Sequence, residues 1–491
     1  MNFNLDKLND YITEKMDEFC LPSMSVVVVH GEEEVYTKCF GFKDLEKKLP
    51  PDENTVYAIA SLTKAMTATC AGILADEGKL SWDEPVITYL PEFRMYDEFA
   101  AKSITLRDML SHNTGLPRHD MSWYGDGNLS TKEIVERIGY LKLNKSPRSL
   151  YEYNNFMFAA AGYVIERITG NSWGDFIRER LFKPLGMNNT TTVIDGLREA
   201  QNKALPYKGG AKLKGKPVPE PILIKYLNFD GMAACGTVNS TISDMSKWAS
   251  MNLMKGTYKG KRIISEKALN EIHTPNTVKR GEALIPEIPI LCYGLGWNTR
   301  VYRGHFNLTH SGGIDGFSTY ISLLPNENVG IVILTNRGGT IAHFAVANTI
   351  KDHILGLPQK DWAAYLKGAE DKEIAELVKS NEAVKAARII NANHSKSLKD
   401  YMGIYEHKGY GKVGIALKGD RLILSHNGFD RELVHNNYDT FDFDISDDYI
   451  EKRMIARFIL DKEGAVSGLN VEFEKSMKGE LIPFKKLQEE Y

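Results

Sequence analysis

The sequence predicts an α+β fold, within the broad α/β class: an antiparallel sheet flanked by helices, a helical subdomain, and a small C-terminal antiparallel β-barrel. Three observations lead there. Strand-like text lies at both ends of residues 1–360 and helix-like text between, so one sheet must combine N- and C-terminal segments. Residues 361–397 are charged and rich in Ala, Glu and Lys, the composition of a helical connector. From residue 398 onward, about eight short apolar alternations recur between tight turns, the pattern of a small barrel. The expected division is a domain over 1–360, a connector over 361–397 and a barrel domain over 398–491.

The elements follow in chain order. Leu5, Leu8, Ile12, Met16 and Phe19 recur at spacings of three and four, the stripe of an amphipathic helix. Two runs rich in β-branched residues, 25–30 and 34–40, flank Gly31 and predict a hairpin. The text SLTKAMTATCAGILADEG predicts a helix over 61–78, with Gly78 as its stop. Between 80 and 227 helices alternate with long loops that carry turn signals such as Asn113-Thr-Gly115-Leu-Pro117. Helices are clearest at 157–170 and 242–255. Strand text returns at 308–310, 317–324 and 329–335, the last two joined across Pro325-Asn-Glu-Asn328, and a helix over 341–355 follows. In the barrel region, Lys418-Gly-Asp420 and Asn427-Gly428 mark tight turns.

Composition excludes several functions. Lys plus Arg number 61 against 64 Asp plus Glu, so no broad basic field exists to hold nucleic acid. The five cysteines, Cys20, Cys39, Cys70, Cys235 and Cys292, are widely spaced, which argues for free thiols rather than a disulfide framework or structural zinc. No run approaches the ~18–20 apolar residues of a membrane span. Acidic residues recur through the first twenty positions where a secretory signal would be basic and then apolar, so a cytoplasmic location is expected. His112, His119 and Asp120 match no common metal-ligand spacing and read as structural, so no metal is expected. Trp123 and Tyr124 lie in a loop expected to border the site.

Candidate chemistry begins at Ser61-Leu-Thr-Lys64, the one Ser-x-x-Lys string in the chain. Residues three apart share a helix face, so the Lys64 amine can lie beside the Ser61 hydroxyl and take its proton. Unpaired N–H groups at the helix start suit an oxygen anion. Tyr153-Asn-Asn155 precedes an apolar helix and offers a phenol for proton transfer and an amide to orient a substrate carbonyl. A second Tyr-x-Asn string, Tyr226-Leu-Asn228, reads as a decoy. His310-Ser311-Gly312-Gly313 lies on a predicted strand whose small residues allow a substrate backbone to pair, and the Gly313 N–H can complete an oxyanion hole with that of Ser61.

In that order the three strings resemble the serine β-lactamase and penicillin-binding-protein superfamily, specifically its class C-like branch, over about residues 5–357. Segments such as ITLRDMLSHNTGLP, CGTVNSTISDMSKW and YGLGW strengthen the likeness. The resemblance implies Ser61 as acylated nucleophile, Lys64 and Tyr153 as the proton-transfer pair, Asn155 as substrate-amide contact, and His310, Ser311 and Gly312 as the strand bordering the substrate. It implies no cofactor. The choice of Lys64 or Tyr153 as acylation base stays open. One departure stands out: penicillin-recognising members usually carry Lys-Thr-Gly where this chain has His310-Ser-Gly312. Members with histidine there are similar to esterases and D-amino-acid peptidases. Residues 398–491 look like the lipocalin-like β-domain that often follows this catalytic domain; in some relatives it contributes to assembly or narrows access to the site, and a passive appendage is the alternative.

The expectation is a serine hydrolase acting through an acyl-enzyme on amide bonds of short or D-residue peptides. A carboxylesterase or acyltransferase on the same scaffold is the alternative, and a non-turnover sensor is the alternative from another class. The expected partner is a small-molecule or peptide substrate, with neither nucleic acid nor membrane, and a homo-oligomer is possible.

Overall fold

The computed structural model describes residues 5–125, 127–209, 220–280, 285–386, 388–389, 392–445, 452–474 and 479–488; the side chains of Leu5, Asp6 and Val384 lie outside the described part. An eight-stranded antiparallel sheet runs in the order Glu33–Gly41, Ser23–His30, Val329–Thr335, Phe317–Leu324, His305–Ile314, Asn298–Tyr302, Ile290–Tyr293, Thr277–Val278. The N-terminal hairpin therefore enters beside a strand from far along the chain, with Met24 opposite Thr335 and His30 opposite Val329.

Successive strand side chains point to opposite faces, and both faces here are covered. Val26, Val28, Ile331 and Ile333 join Leu8, Ile12, Val346 and Trp362 in one core. Leu8, Ile12, Val346 and Trp362 belong to the helices Leu5–Glu18, Ala342–Ile354 and Trp362–Ala386. Val27, Val29, Val332 and Leu334 face the other way, into a core shared with the helices Thr63–Asp76, Phe156–Thr169 and Ile242–Leu253. Each such side chain contributes about 1.5–3 kcal/mol on burial. That explains why strands Phe317–Leu324 and Val329–Thr335, buried along their whole length, were legible as apolar runs. The last three strands of the sheet escaped prediction because they are short and partly exposed, with no sustained alternation.

Local chemistry sets the helix ends. Phe156–Thr169 stops at Gly170, whose φ of +72° suits a residue without a side chain. Ile242–Leu253 starts at Thr241, whose hydroxyl accepts the Asp244 N–H at 3.1 Å.

The C-terminal strands close into an up-and-down barrel, Gly403–His407 through Ile482–Lys486, the first pairing with the last. Its interior is a packed core rather than a cup: Tyr401, Tyr405, Phe441 and Phe458 are buried, with the Tyr401 and Phe458 rings 4.4 Å apart. The barrel docks on the loop after residue 117. There His119 donates from Nε2 to the Lys142 carbonyl at 2.9 Å and accepts at Nδ1 from the Tyr410 hydroxyl at 2.7 Å. Among the described residues no helix is long and apolar enough to cross a membrane.

Candidate active site

Ser61 occupies a tight 3-10 turn, Ala60–Leu62, that leads directly into the helix Thr63–Asp76. The sequence predicted the helix from residue 61; the tighter turn sets the serine just ahead of the helix proper. Ala60 adopts φ +49°, a left-handed conformation that costs an L-residue roughly 1–2 kcal/mol. Neighbours hold the turn in place. The Ile59 N–H donates to the Val238 carbonyl at 3.0 Å, and the Thr319 hydroxyl donates to the Ile59 carbonyl at 2.9 Å. Gly312 lies against that same carbonyl, where a Cβ would stand 2.2 Å from the Ile59 oxygen. The strand His305–Ile314 reaches the serine turn because position 312 has no side chain.

Lys64 is fully buried. Its Nζ lies 3.0 Å from Ser61 Oγ, 2.8 Å from Asn155 Oδ1 and 2.9 Å from the Cys235 carbonyl. An ammonium has three N–H donors and meets three acceptors. A neutral amine keeps two donors, which Asn155 and Cys235 satisfy, and turns its lone pair to Ser61. The pocket accommodates both states.

The Tyr153 hydroxyl donates to Ser61 Oγ at 3.0 Å. Its chain segment is gripped on both sides by His112, which accepts the Glu152 N–H on its carbonyl at 2.9 Å and the Asn154 N–H on Nδ1 at 3.1 Å. A φ of +57° at His112 accompanies that double contact. The His112 and Tyr153 rings lie 4.3 Å apart. Burial, reinforced by the nearby Lys64 charge, holds the His112 imidazole well below its usual pKa, so it is neutral. Two cations flank the Tyr153 ring, Lys64 at 5.0 Å and Arg118 at 5.1 Å from its centroid.

Asn155 completes the group. Its Nδ2 donates to Asp120 Oδ1 at 2.9 Å while its Oδ1 accepts from Lys64. Asp120 also accepts from Arg118 Nε at 2.6 Å and Trp123 Nε1 at 3.1 Å. Asp120, read from sequence as structural, thus fixes the amide that faces the lysine. Among the described residues no group of three His, Cys, Asp or Glu side chains could hold a metal. The decoy Tyr226 bonds the Ala204 carbonyl at 2.8 Å and stacks on Phe317.

Ser61, Asn155 and Gly313 line one cavity of about 800 Å³. His310 sits elsewhere: its ring is buried, Nδ1 lies 2.7 Å from the Ser311 carbonyl, and Nε2 lies 2.8 Å from the Tyr293 hydroxyl. Burial, then the Lys64 charge, push its pKa down to about 3, so it is neutral. Among the described residues of the 310–313 run, the cavity is lined by Gly313. Trp123 and Tyr124 also line it, and from the barrel so do Phe429, Ile445 and Lys452. Sequence reasoning did not single out Arg118 or Phe429; the Asn427-Gly428 turn signal beside Phe429 was the nearest clue.

A family model described as Beta-lactamase matches residues 8–355. The chain belongs to the β-lactamase family. A second model, Domain of unknown function (DUF3471), matches residues 387–486. A relative named unguisins hydrolase, from Aspergillus campestris, is 29% identical over 502 residues, covering 97% of this chain and 91% of its own. A D-amino acid amidase from Ochrobactrum anthropi, solved with L-phenylalanine amide, is 25% identical at TM-score 0.59, covering 71% of this chain and 98% of its own. The octameric penicillin-binding protein homologue from Pyrococcus abyssi shares the fold, at TM-score 0.63 and 22% identity over 99% of this chain and 100% of its own.

Proposed function

We propose that this chain is a serine hydrolase that forms an acyl-enzyme at Ser61 and cleaves amide bonds of short peptides or D-residue substrates. The observation that carries the reading is the convergence of Lys64 Nζ and Tyr153 OH, each at 3.0 Å, on one cavity-lining hydroxyl.

Ser61 Oγ attacks the substrate carbonyl carbon, and its proton passes to the Lys64–Tyr153 pair. The carbonyl π electrons move onto oxygen, held by the backbone N–H groups of Ser61 and Gly313, each worth about 2.7–4 kcal/mol in such a role. The C–N bond breaks as the leaving amine takes the proton. Water then adds to the acyl carbon, gives its proton to the same pair, and the Oγ–C bond breaks with return of that proton to Oγ. Asn155 and the Cys235 carbonyl hold the amine in place throughout.

Neutral His310, turned to Tyr293, offers no permanent cation where penicillin-recognising members carry a lysine, which is compatible with an uncharged amide substrate. The relatives named hydrolase and amidase support the same direction.

The test is intact mass after an activated-phosphonate probe, in the parent and in Ser61→Ala, followed by turnover of L- and D-aminoacyl amides and of short esters. An adduct in the parent alone, with amides turned over, is expected. Equal labelling of both proteins removes Ser61 as nucleophile; labelling without turnover assigns a sensor.

A further inference from the structure

Part of the cavity wall is a continuous run of rings. Phe229 lies 6.2 Å from Trp123, Trp123 lies 5.9 Å from Tyr124, and Tyr124 stacks on Phe429 at 5.6 Å with planes only 6° apart. All four line the cavity that holds Ser61. Three come from the sheet-and-helix part of the chain, and the fourth opens a barrel strand, Phe429–Asn437.

The barrel ring is held in place by its own turn. Asn427 and Gly428 both take positive φ, +47° and +80°, as a two-residue hairpin turn of the primed type requires. That turn is bonded to the loop beneath it. His426 Nε2 and Asn427 Nδ2 each lie 2.9 Å from the Met121 carbonyl, and Glu474 accepts the Met121 N–H at 3.0 Å. Both backbone polar groups of Met121 are thus bound by the barrel, one residue after Asp120. Gly125 provides the seat: at φ +86°, a Cβ there would lie 2.4 Å from the Asn427 carbonyl and 2.4 Å from the Phe429 ring. The Tyr124 hydroxyl donates to Asp315, two residues after Gly313.

We propose that Phe429 belongs to the substrate site, and that the ring wall it completes selects an acyl component with an aromatic or bulky aliphatic side chain. The proposal rests on the Ser61 reading above. Aromatic walls with a few converging polar groups suit apolar groups of this kind. The wall gives the C-terminal domain a place in specificity as well as in packing.

The test uses the full-length protein and a pair of activated phosphonates, one bearing a benzyl and one a methyl substituent, with labelling rates at Ser61 read by intact mass. The parent should react at least about tenfold faster with the benzyl probe, the scale on which apolar pockets discriminate. Phe429→Ala should collapse that ratio to below about threefold, and Phe429→Tyr should restore it. Tyr438→Ala, at an exposed barrel ring that does not line the cavity, should keep the parent ratio. A parent without benzyl preference, or a Phe429→Ala protein that keeps it, overturns the proposal; the parent measurement stands even if the variant fails to fold. A parent labelled by neither probe overturns the Ser61 reading instead.

Discussion

Replacing Gly312 with alanine should disable the site from beneath. The new methyl would stand 2.2 Å from the Ile59 carbonyl oxygen and 2.2 Å from Thr319 Oγ1, whereas real Cβ contacts essentially never fall below 3.0 Å. The obstacle is backbone, already fixed by the Thr319 hydroxyl at 2.9 Å, so it cannot swing aside. The strand must retreat from the serine turn by roughly 1 Å, taking Gly313 with it. Displacement on that scale costs about 10²-fold when it misplaces a reacting group, and loss of one oxyanion donor costs about 10²–10³-fold. Overpacking of this kind also removes about 1–3 kcal/mol of stability. Phosphonate labelling rate at Ser61 and the thermal midpoint are the measurements. Gly313→Ala is the contrast for folding, since its Cβ meets nothing within 4 Å and its midpoint should match the parent. A Gly312→Ala protein labelled within about threefold of the parent rate would refute the reasoning that this close approach places the strand.

Tyr153→Phe deletes the hydroxyl that donates to Ser61 and should slow labelling by about 10²–10⁴-fold, the usual range for a general acid–base group; an unchanged rate would leave Lys64 acting alone. Asp120→Ala frees the Asn155 amide and should lower labelling by about 10–100-fold, the equivalent of one hydrogen bond to a charged group, with Asp120→Asn retaining part of the rate. Acid should destabilise the fold through buried histidines: burial pushes His119 down to about 4 and His310 and His343 down to about 3. They are neutral in the native state, whereas the unfolded chain takes up their protons near pH 6.5. Their stabilising contribution is therefore complete above about pH 6.5 and declines as pH falls toward 3–4, by up to about 1.4 kcal/mol per pH unit for each histidine. Urea midpoints at pH 7.5, 6.5, 5.5 and 4.5 check this; a flat profile down to pH 5 would contradict it.

What the sequence revealed depended on how local the signal was. Ser61 and Lys64 are three residues apart on one helical turn, and their contact follows from that spacing alone. Strands such as Phe317–Leu324 were visible because burial on both faces writes an unbroken apolar run. All eight barrel strands were legible because turns like Asn427-Gly428 carry backbone requirements of their own. Other features depend on distant partners. Asp120 serves Asn155 across 35 positions, and Met121 meets His426 across 305; no local pattern encodes either. His310 was placed on the correct strand, yet the direction of its ring depends on Tyr293, on a strand that was not foreseen.

The pairing of Met24 with Thr335 joins residues more than 300 positions apart. Closing a chain loop of that length costs roughly 5 kcal/mol in entropy before any contact compensates. During synthesis the first hairpin must wait, its strand Ser23–His30 carrying four consecutive valines and one open edge, until two thirds of the polypeptide has emerged. Folding of this molecule should accordingly be late, slow and vulnerable to self-association on the ribosome, and holdase chaperones would act on the nascent N-terminal hairpin first.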